Sequence, residues 1–161
     1  MYDKSNIESF LMGVAMTFVD ENNLISKLLT RKIISINEND TIYDAIKLLS
    51  ENKIGALPVV NNQKKLCGIV SERDIIHAIS ENKEIKLSLS HINSIMTSKV
   101  ITCNKDTESN VLMKIMTTNK IRHIPILEKN LLIGIVSIGD VVKRLLEKFN
   151  IENEELKSWL Y

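Results

Sequence analysis

Apolar residues recur along this chain at two spacings, one near 3.6 residues and one near 2, and the alternation between them marks its elements. Near the start, Ile7, Phe10, Leu11, Val14 and Phe18 fall on one helical face, and Ser5-Asn6-Ile7-Glu8 reads as a capping box. This predicts an amphipathic helix that packs on the main body or on a second subunit. A β-rich run, Ile33 to Ile36, comes next. A helix starting near Asp40-Thr41 follows, with Ile42, Ala45, Ile46 and Leu49 on one side. The apolar strand Ala56-Leu57-Pro58-Val59-Val60 ends in the polar turn Asn61-Asn62. A further strand, Leu66 to Val70, leads into a helix capped by Ser71.

The same series then returns. Val100 to Cys103 is a β-rich run, and a helix starting near Asp106-Thr107 carries Leu112, Met113 and Met116. His123-Ile124-Pro125-Ile126-Leu127 is the proline-containing strand, and Glu128-Lys129-Asn130 is the turn. Leu132 to Val136 is the last strand, and Ser137 caps the closing helix. Ile34-Ser35-Ile36-Asn37 aligns with Ile101-Thr102-Cys103-Asn104 at a shift of 67 residues. The shift also superposes Asn52-Lys53-Ile54 on Asn119-Lys120-Ile121, and Pro58 on Pro125. One residue is lost in the next turn, after which Gly68-Ile69-Val70-Ser71 matches Gly134-Ile135-Val136-Ser137 and Asp74 matches Asp140. Ordered identities with one gap, placed in a turn, identify an internal repeat.

Each repeat has the order β-α-β-β-α. The predicted divisions are an N-terminal helix over 1–23, a first repeat over 24–82 and a polar linker over 83–94. A second repeat over 95–150 and a short C-terminal helix over 151–161 follow, the latter with Leu156, Trp159 and Leu160 on one side. A unit of this size cannot cover both faces of a three-stranded sheet, whereas two units packed sheet to sheet can. The expected fold is therefore α/β (α+β), a pseudo-twofold pair with clefts at its seam.

Composition narrows the function classes. Apolar residues make up 44% and aromatic residues only 4%, so the core must be aliphatic. The net charge of +1 comes from well-mixed charges and gives no steering field for nucleic acid or an anionic membrane. No apolar run reaches membrane-spanning length. Asp3, Glu8, Asp20 and Glu21 flank Phe10 to Val19, which argues against a signal peptide. Cys67 and Cys103 belong to no ligand-spaced cluster and read as two thiols in a reducing, cytoplasmic setting.

The two halves resemble cystathionine-β-synthase (CBS) domains, and the pair resembles a Bateman module. The resemblance rests on Lys53-Ile54-Gly55-Ala56-Leu57-Pro58-Val59-Val60 with Gly68-Ile69-Val70-Ser71-Glu72-Arg73-Asp74. It rests equally on Ile121-Arg122-His123-Ile124-Pro125-Ile126 with Gly134-Ile135-Val136-Ser137-Ile138-Gly139-Asp140, and on Ile95-Met96-Thr97 before the second half. It covers about residues 24 to 149 and is similar to small stand-alone bacterial CBS-pair proteins. It implies a homodimer that binds AMP, ATP, NAD or, less favoured, S-adenosylmethionine as a regulatory ligand.

Ser71 and Asp74 then stand at the family's ribose-binding S/T-x-x-D motif, where a carboxylate can accept hydrogen bonds from both ribose hydroxyls. A serine-capped helix start favours an anion, and Arg73 can reach a phosphate. The plain alternative is an N-capped helix with acids in its first turn; the duplicate, Ser137 and Asp140, favours the ligand reading. The duplicate departs from the first copy because Gly139 replaces Arg73. The family's crossed arrangement implies one cleft joining Ser71, Arg73 and Asp74 to Ile121 and Arg122, with His123 a candidate beside Arg122. The other would join Ser137 and Asp140 to Ile54, Gly55 and Ala56, whose small side chains let adenine approach the backbone.

No catalytic residue or metal site is expected. Ser71, Asp74 and His77 lie along one helix without an oxyanion hole, and His77, His91 and His123 lack ligand-spaced partners. The expected function is thus a non-catalytic nucleotide sensor read by an unidentified target protein. The competing expectation is a protein-interaction scaffold with degenerate, empty clefts.

Overall fold

The computed structural model describes residue 25 and residues 28–160, with side chains described as far as residue 151. The amphipathic helix expected over residues 1–23 lies outside the described residues. In the first half, β1 (Ile36–Asn37) leads to α1 (Ile42–Asn52), β2 (Ala56–Val60), β3 (Leu66–Ser71) and α2 (Glu72–Glu81). In the second, α3 (Ser109–Asn119) is followed by β4 (His123–Glu128), β5 (Leu131–Ser137) and α4 (Ile138–Leu160). The fold is the expected mixed α/β pair of repeats.

The helix starts show how sequence sets local structure. Thr41 caps α1: its Oγ1 accepts the Asp44 N–H at 3.1 Å, and the Asp44 carboxylate accepts the Thr41 N–H at 3.0 Å. The helix α3 begins at Ser109, after the Asp106-Thr107 start read from the sequence. Thr107 instead accepts the Asn104 N–H at 3.2 Å, and Val111 stands where the repeat places Asp44, so no capping box forms. Both helices end on a lysine in the left-handed region, Lys53 at φ 53° and Lys120 at φ 54°.

Sheet order is β1-β2-β3 in the first half and β4-β5 in the second. β1 runs parallel to β2 with Ile36 opposite Val59, and β2 runs antiparallel to β3 with Leu57 opposite Val70. The pair β4–β5 repeats this register with Ile124 opposite Val136. The opening strands are shorter than the sequence suggests. Ile33 to Ile36 contributes only its last residue to β1, and Val100 to Cys103 shrinks to one parallel bridge from Cys103 to Ile126. Ile33, Ile34, Val100 and Ile101 have left the ladder to line the clefts between the halves.

Each half has its own aliphatic core. Ile42, Leu49, Leu57, Val59 and Val70 are fully buried or nearly so in the first, as are Leu112, Met116, Ile124, Ile126 and Val136 in the second. Neither core is closed by its own half alone. Ile92 sits in the first core, whereas its equivalent by the 67-residue shift, Ile25, sits in the second. The stretch 83–94 expected as a linker is largely exposed but forms a strap at three points, Ile92 in the first core and Ile85 and Leu87 packed against it. Within this strap the Ile92 N–H donates to Asp40 O at 2.9 Å and the Asn93 N–H to Glu38 O at 3.0 Å. Next to it, Thr97 pairs with Ile69 on the free edge of β3 through mutual bonds of 2.9 and 3.0 Å. Gly68 admits this crossing, because a Cβ there would lie 2.4 Å from Met96 Sδ. At the equivalent Gly134 an added Cβ would lie 3.2 Å from Ile126 Cδ1 and 3.4 Å from Leu29 Cδ2, a looser fit.

At the C-terminal end, α4 runs through Asn150 without a break. The separate helix expected over 151–161 is its continuation, because no glycine or proline interrupts Glu147 to Leu160.

Candidate functional site

Two cavities open at the seam. The first, of about 190 Å³, is lined by Ser71, Arg73 and Asp74 from one half and by Ile121, Arg122 and His123 from the other. The second, of about 280 Å³, brings Ser137 and Asp140 against Ile54, Gly55 and Ala56. Ser71, Arg73, Asp74, Ile121 and Arg122 thus share the first cavity and Ser137, Asp140 and Ile54 the second, while Gly55, Ala56 and His123 line both. By the repeat, glycines 55 and 139 stand at the positions of Arg122 and Arg73.

The two serine–aspartate pairs share one geometry. Asp74 Oδ2 accepts the Ser71 N–H and hydroxyl, both at 2.7 Å, and Ser71 Oγ accepts the Asp74 N–H at 3.4 Å. Asp140 Oδ2 accepts the Ser137 N–H at 2.9 Å and hydroxyl at 2.6 Å, with the Asp140 N–H to Ser137 Oγ at 3.3 Å. These bonds hold Oδ2 of each carboxylate against the helix start and leave Oδ1 outside the serine–aspartate pair. The first-turn amides are less available to an anion than a bare helix start would be. The Glu72 N–H donates to Gly55 O at 3.1 Å and the Ile138 N–H to Arg122 O at 2.8 Å. With Asp74 and Asp140 also engaged, attraction of an anion falls mainly to side chains.

Those side chains include several that the sequence reading passed over. Lys99 and Lys120 join Arg73 and Arg122 in the first cavity, and Arg31, Lys32 and Lys53 line the second. Lys32 and Lys53 fall on Lys99 and Lys120 at the 67-residue shift, so the repeat itself carried a signal for them. Arg31 has no counterpart, since Ser98 occupies its equivalent position. Its Nη1 lies 2.9 Å from Asp140 Oδ1. Burial pushes the Asp140 carboxyl up, but the Ser137 hydrogen bonds and the Arg31 guanidinium outweigh it and hold the group below its ordinary range.

His123 lines both cavities and sits at their shared wall beside Gly55, where an added Cβ would lie 3.3 Å from its Cε1. Burial, reinforced by the neighbouring Arg122, pushes its imidazole below the ordinary value of 6.5, against the opposing pull of Asp140 and Glu72. The Ser71 hydroxyl donates straight to Asp74, so no imidazole stands between them as a base would. His91 is engaged elsewhere, with Nδ1 2.6 Å from Asn39 O. Among the described residues no group of three His, Cys, Asp or Glu side chains is arranged to hold a metal ion.

Comparison with known proteins places this geometry in context. The profile of the CBS domain family matches the chain twice, over residues 25–81 and 92–147. The chain is 37% identical over 126 residues to the mitochondrial CBS domain-containing protein CBSX3 of Arabidopsis thaliana, covering 76% of this chain and 61% of that protein. The chain therefore spans less than two thirds of that relative's length. Among solved structures, the CBS-domain containing protein ATU1752 of Agrobacterium tumefaciens superposes with a TM-score of 0.71 and 32% identity, over 76% of this chain and 90% of the other. The CBS domain pair of protein MJ0100, solved in complex with 5'-methylthioadenosine and S-adenosyl-L-methionine, superposes with a TM-score of 0.69 and 29% identity, over 77% and 96%.

Proposed function

The chain belongs to the CBS domain family as a tandem pair, and from that premise we propose that it is a non-catalytic regulatory module that binds a phosphate-bearing adenosine ligand, of the AMP, ATP or NAD type, in its crossed clefts. One observation carries the reading. A serine-anchored carboxylate from one half faces a basic strand head from the other across a cavity, and this happens twice. An aspartate whose Oδ2 is tied down offers Oδ1 to ribose hydroxyls, while the cations meet phosphate.

The protein MJ0100 pair holds ligands without a phosphate. Charge favours a different choice here. Arg73, Lys99, Lys120 and Arg122 surround the first cleft, and a sulfonium such as that of S-adenosylmethionine would add a fifth positive centre to them. Calorimetry with AMP, ATP, NAD and S-adenosylmethionine tests this. Phosphate-bearing ligands should bind at least about tenfold tighter than the sulfonium, which corresponds to about 1.4 kcal/mol. Heat from none of the four would favour the interaction scaffold, a reading that Gly139 in the second copy supports.

The same proposal includes a partner copy. Ile76 and Ile79 on α2, and Val142, Leu146 and Phe149 on α4, are exposed apolar side chains on the outer helices. Ile76 and Val142 are equivalent in the repeat, so a second copy of the chain can cover both with one symmetric contact. A ligand that altered the seam would alter this packing, and a target protein would read the change. Two free thiols, Cys67 and Cys103, suit a reducing compartment such as the cytoplasm.

A further inference from the structure

The two clefts share a carboxylate but not its state. In the first, Asp74 Oδ1 has no protein partner among the described residues. In the second, the equivalent oxygen of Asp140 accepts a bond from Arg31 Nη1 at 2.9 Å. The other Asp140 oxygen already holds the Ser137 N–H and hydroxyl, so the guanidinium stands where a ribose hydroxyl would donate.

We propose that Arg31 is the specificity-determining residue of the second cleft, a latch that shuts out phosphate-free adenosines and is drawn off Asp140 by a ligand that carries a phosphate. The inference rests on the adenosine-ligand reading of the clefts and adds a difference between them. Asp140 is largely buried, with 14% of its side chain exposed, whereas the Arg31 side chain is 65% exposed. The guanidinium therefore stays hydrated and can swing toward a phosphate at the cleft mouth without crossing apolar surface. Phosphate offers it a bidentate partner, which a single carboxylate oxygen does not. Once it has moved, Asp140 Oδ1 is free to take the ribose. An uncharged adenosine supplies nothing to hold the displaced guanidinium and must compete with it. Lys32, Lys53 and His123 line the same cavity, but no ion pair from any of them to Asp140 is formed. The first cleft has no such latch because Ser98 replaces Arg31 in the repeat.

Calorimetry with adenosine and with AMP tests the latch in four proteins: the wild type, Asp74→Ala to silence the first cleft, and Asp74→Ala combined with Arg31→Ala or with Arg31→Gln. The Asp74→Ala protein should prefer AMP over adenosine by about tenfold or more, the worth of one charge-assisted bond. Both Arg31 substitutions should tighten adenosine and weaken AMP, so that the preference collapses toward unity. Thermal unfolding confirms that each protein is folded, and the glutamine variant guards against a special effect of alanine. Adenosine affinity unchanged or weakened by both substitutions overturns the latch. So does a second cleft that stays silent after Arg31 is removed while the wild type binds AMP. A wild type that binds neither ligand overturns the adenosine reading along with it.

Discussion

Asp74 and Asp140 accept the same pair of hydrogen bonds from the serine three residues before them, yet only Asp74 has arginines 73 and 122 in its cavity. Asp74→Ala should therefore weaken an adenosine nucleotide more than Asp140→Ala does. Charge-assisted bonds contribute roughly 1.5 to 3 kcal/mol each, so the loss at Asp74 should be about tenfold or more in affinity. Calorimetry on both variants checks the ranking, and the reverse order would make the second cleft the main site. His123 sets a pH dependence. Its folded value lies below the unfolded 6.5, so a falling pH protonates the unfolded chain first. The stability it contributes is present above 6.5 and is lost as pH falls through the folded value. The urea midpoint should drop between about pH 7.5 and about pH 5.5, and His123→Gln should flatten that drop. The cleft residues that recur in the repeat were legible in the sequence because S-x-x-D appears twice in register. Arg31 was not, because its partner Asp140 lies 109 residues away and nothing in the repeat points to it.

At the scale of elements, the helix faces were readable from spacing alone: Ile42, Ala45 and Leu49 are all buried, as are Leu112 and Met116. The strap was not read as core because Ser88, Ser90, His91, Asn93 and Ser94 give the stretch around Ile92 the composition of a polar linker. Carrying the repeat shift backwards would have matched Ile92 to Ile25, and both are essentially inaccessible to solvent. Its burial makes a sharp prediction. Ile92→Ala should cost about 2 to 5 kcal/mol, as for a core isoleucine; a linker position would cost less than about 0.5 kcal/mol. Urea unfolding measures the difference. The short opening strands escaped the sequence reading for a related reason. Ile33, Ile34, Val100 and Ile101 look like ladder residues, but their apolar side chains line a cavity wall instead.

The whole molecule leaves apolar surface on its outer helices, with Ile76 exposed to 67% and Phe149 to 60%. Light scattering at micromolar concentration should show a homodimer, and Ile76→Glu together with Leu146→Glu should shift it to monomer while leaving circular dichroism unchanged. A monomeric wild type would remove the symmetric contact from the proposal. Within one chain, each repeat closes the core of the other: Ile25, at the start of the first half, packs in the second, while Ile92, at the start of the second family match, packs in the first. The halves are therefore hooked together reciprocally, and the peptide between them carries little of the load. Residues 82–84 are exposed and lie outside both helix and strand. A protease cut there should leave two fragments that migrate as one particle in gel filtration and part only in denaturant. Fragments 1–82 and 83–161 made separately should likewise find each other when mixed, each offering the hook that the other lacks.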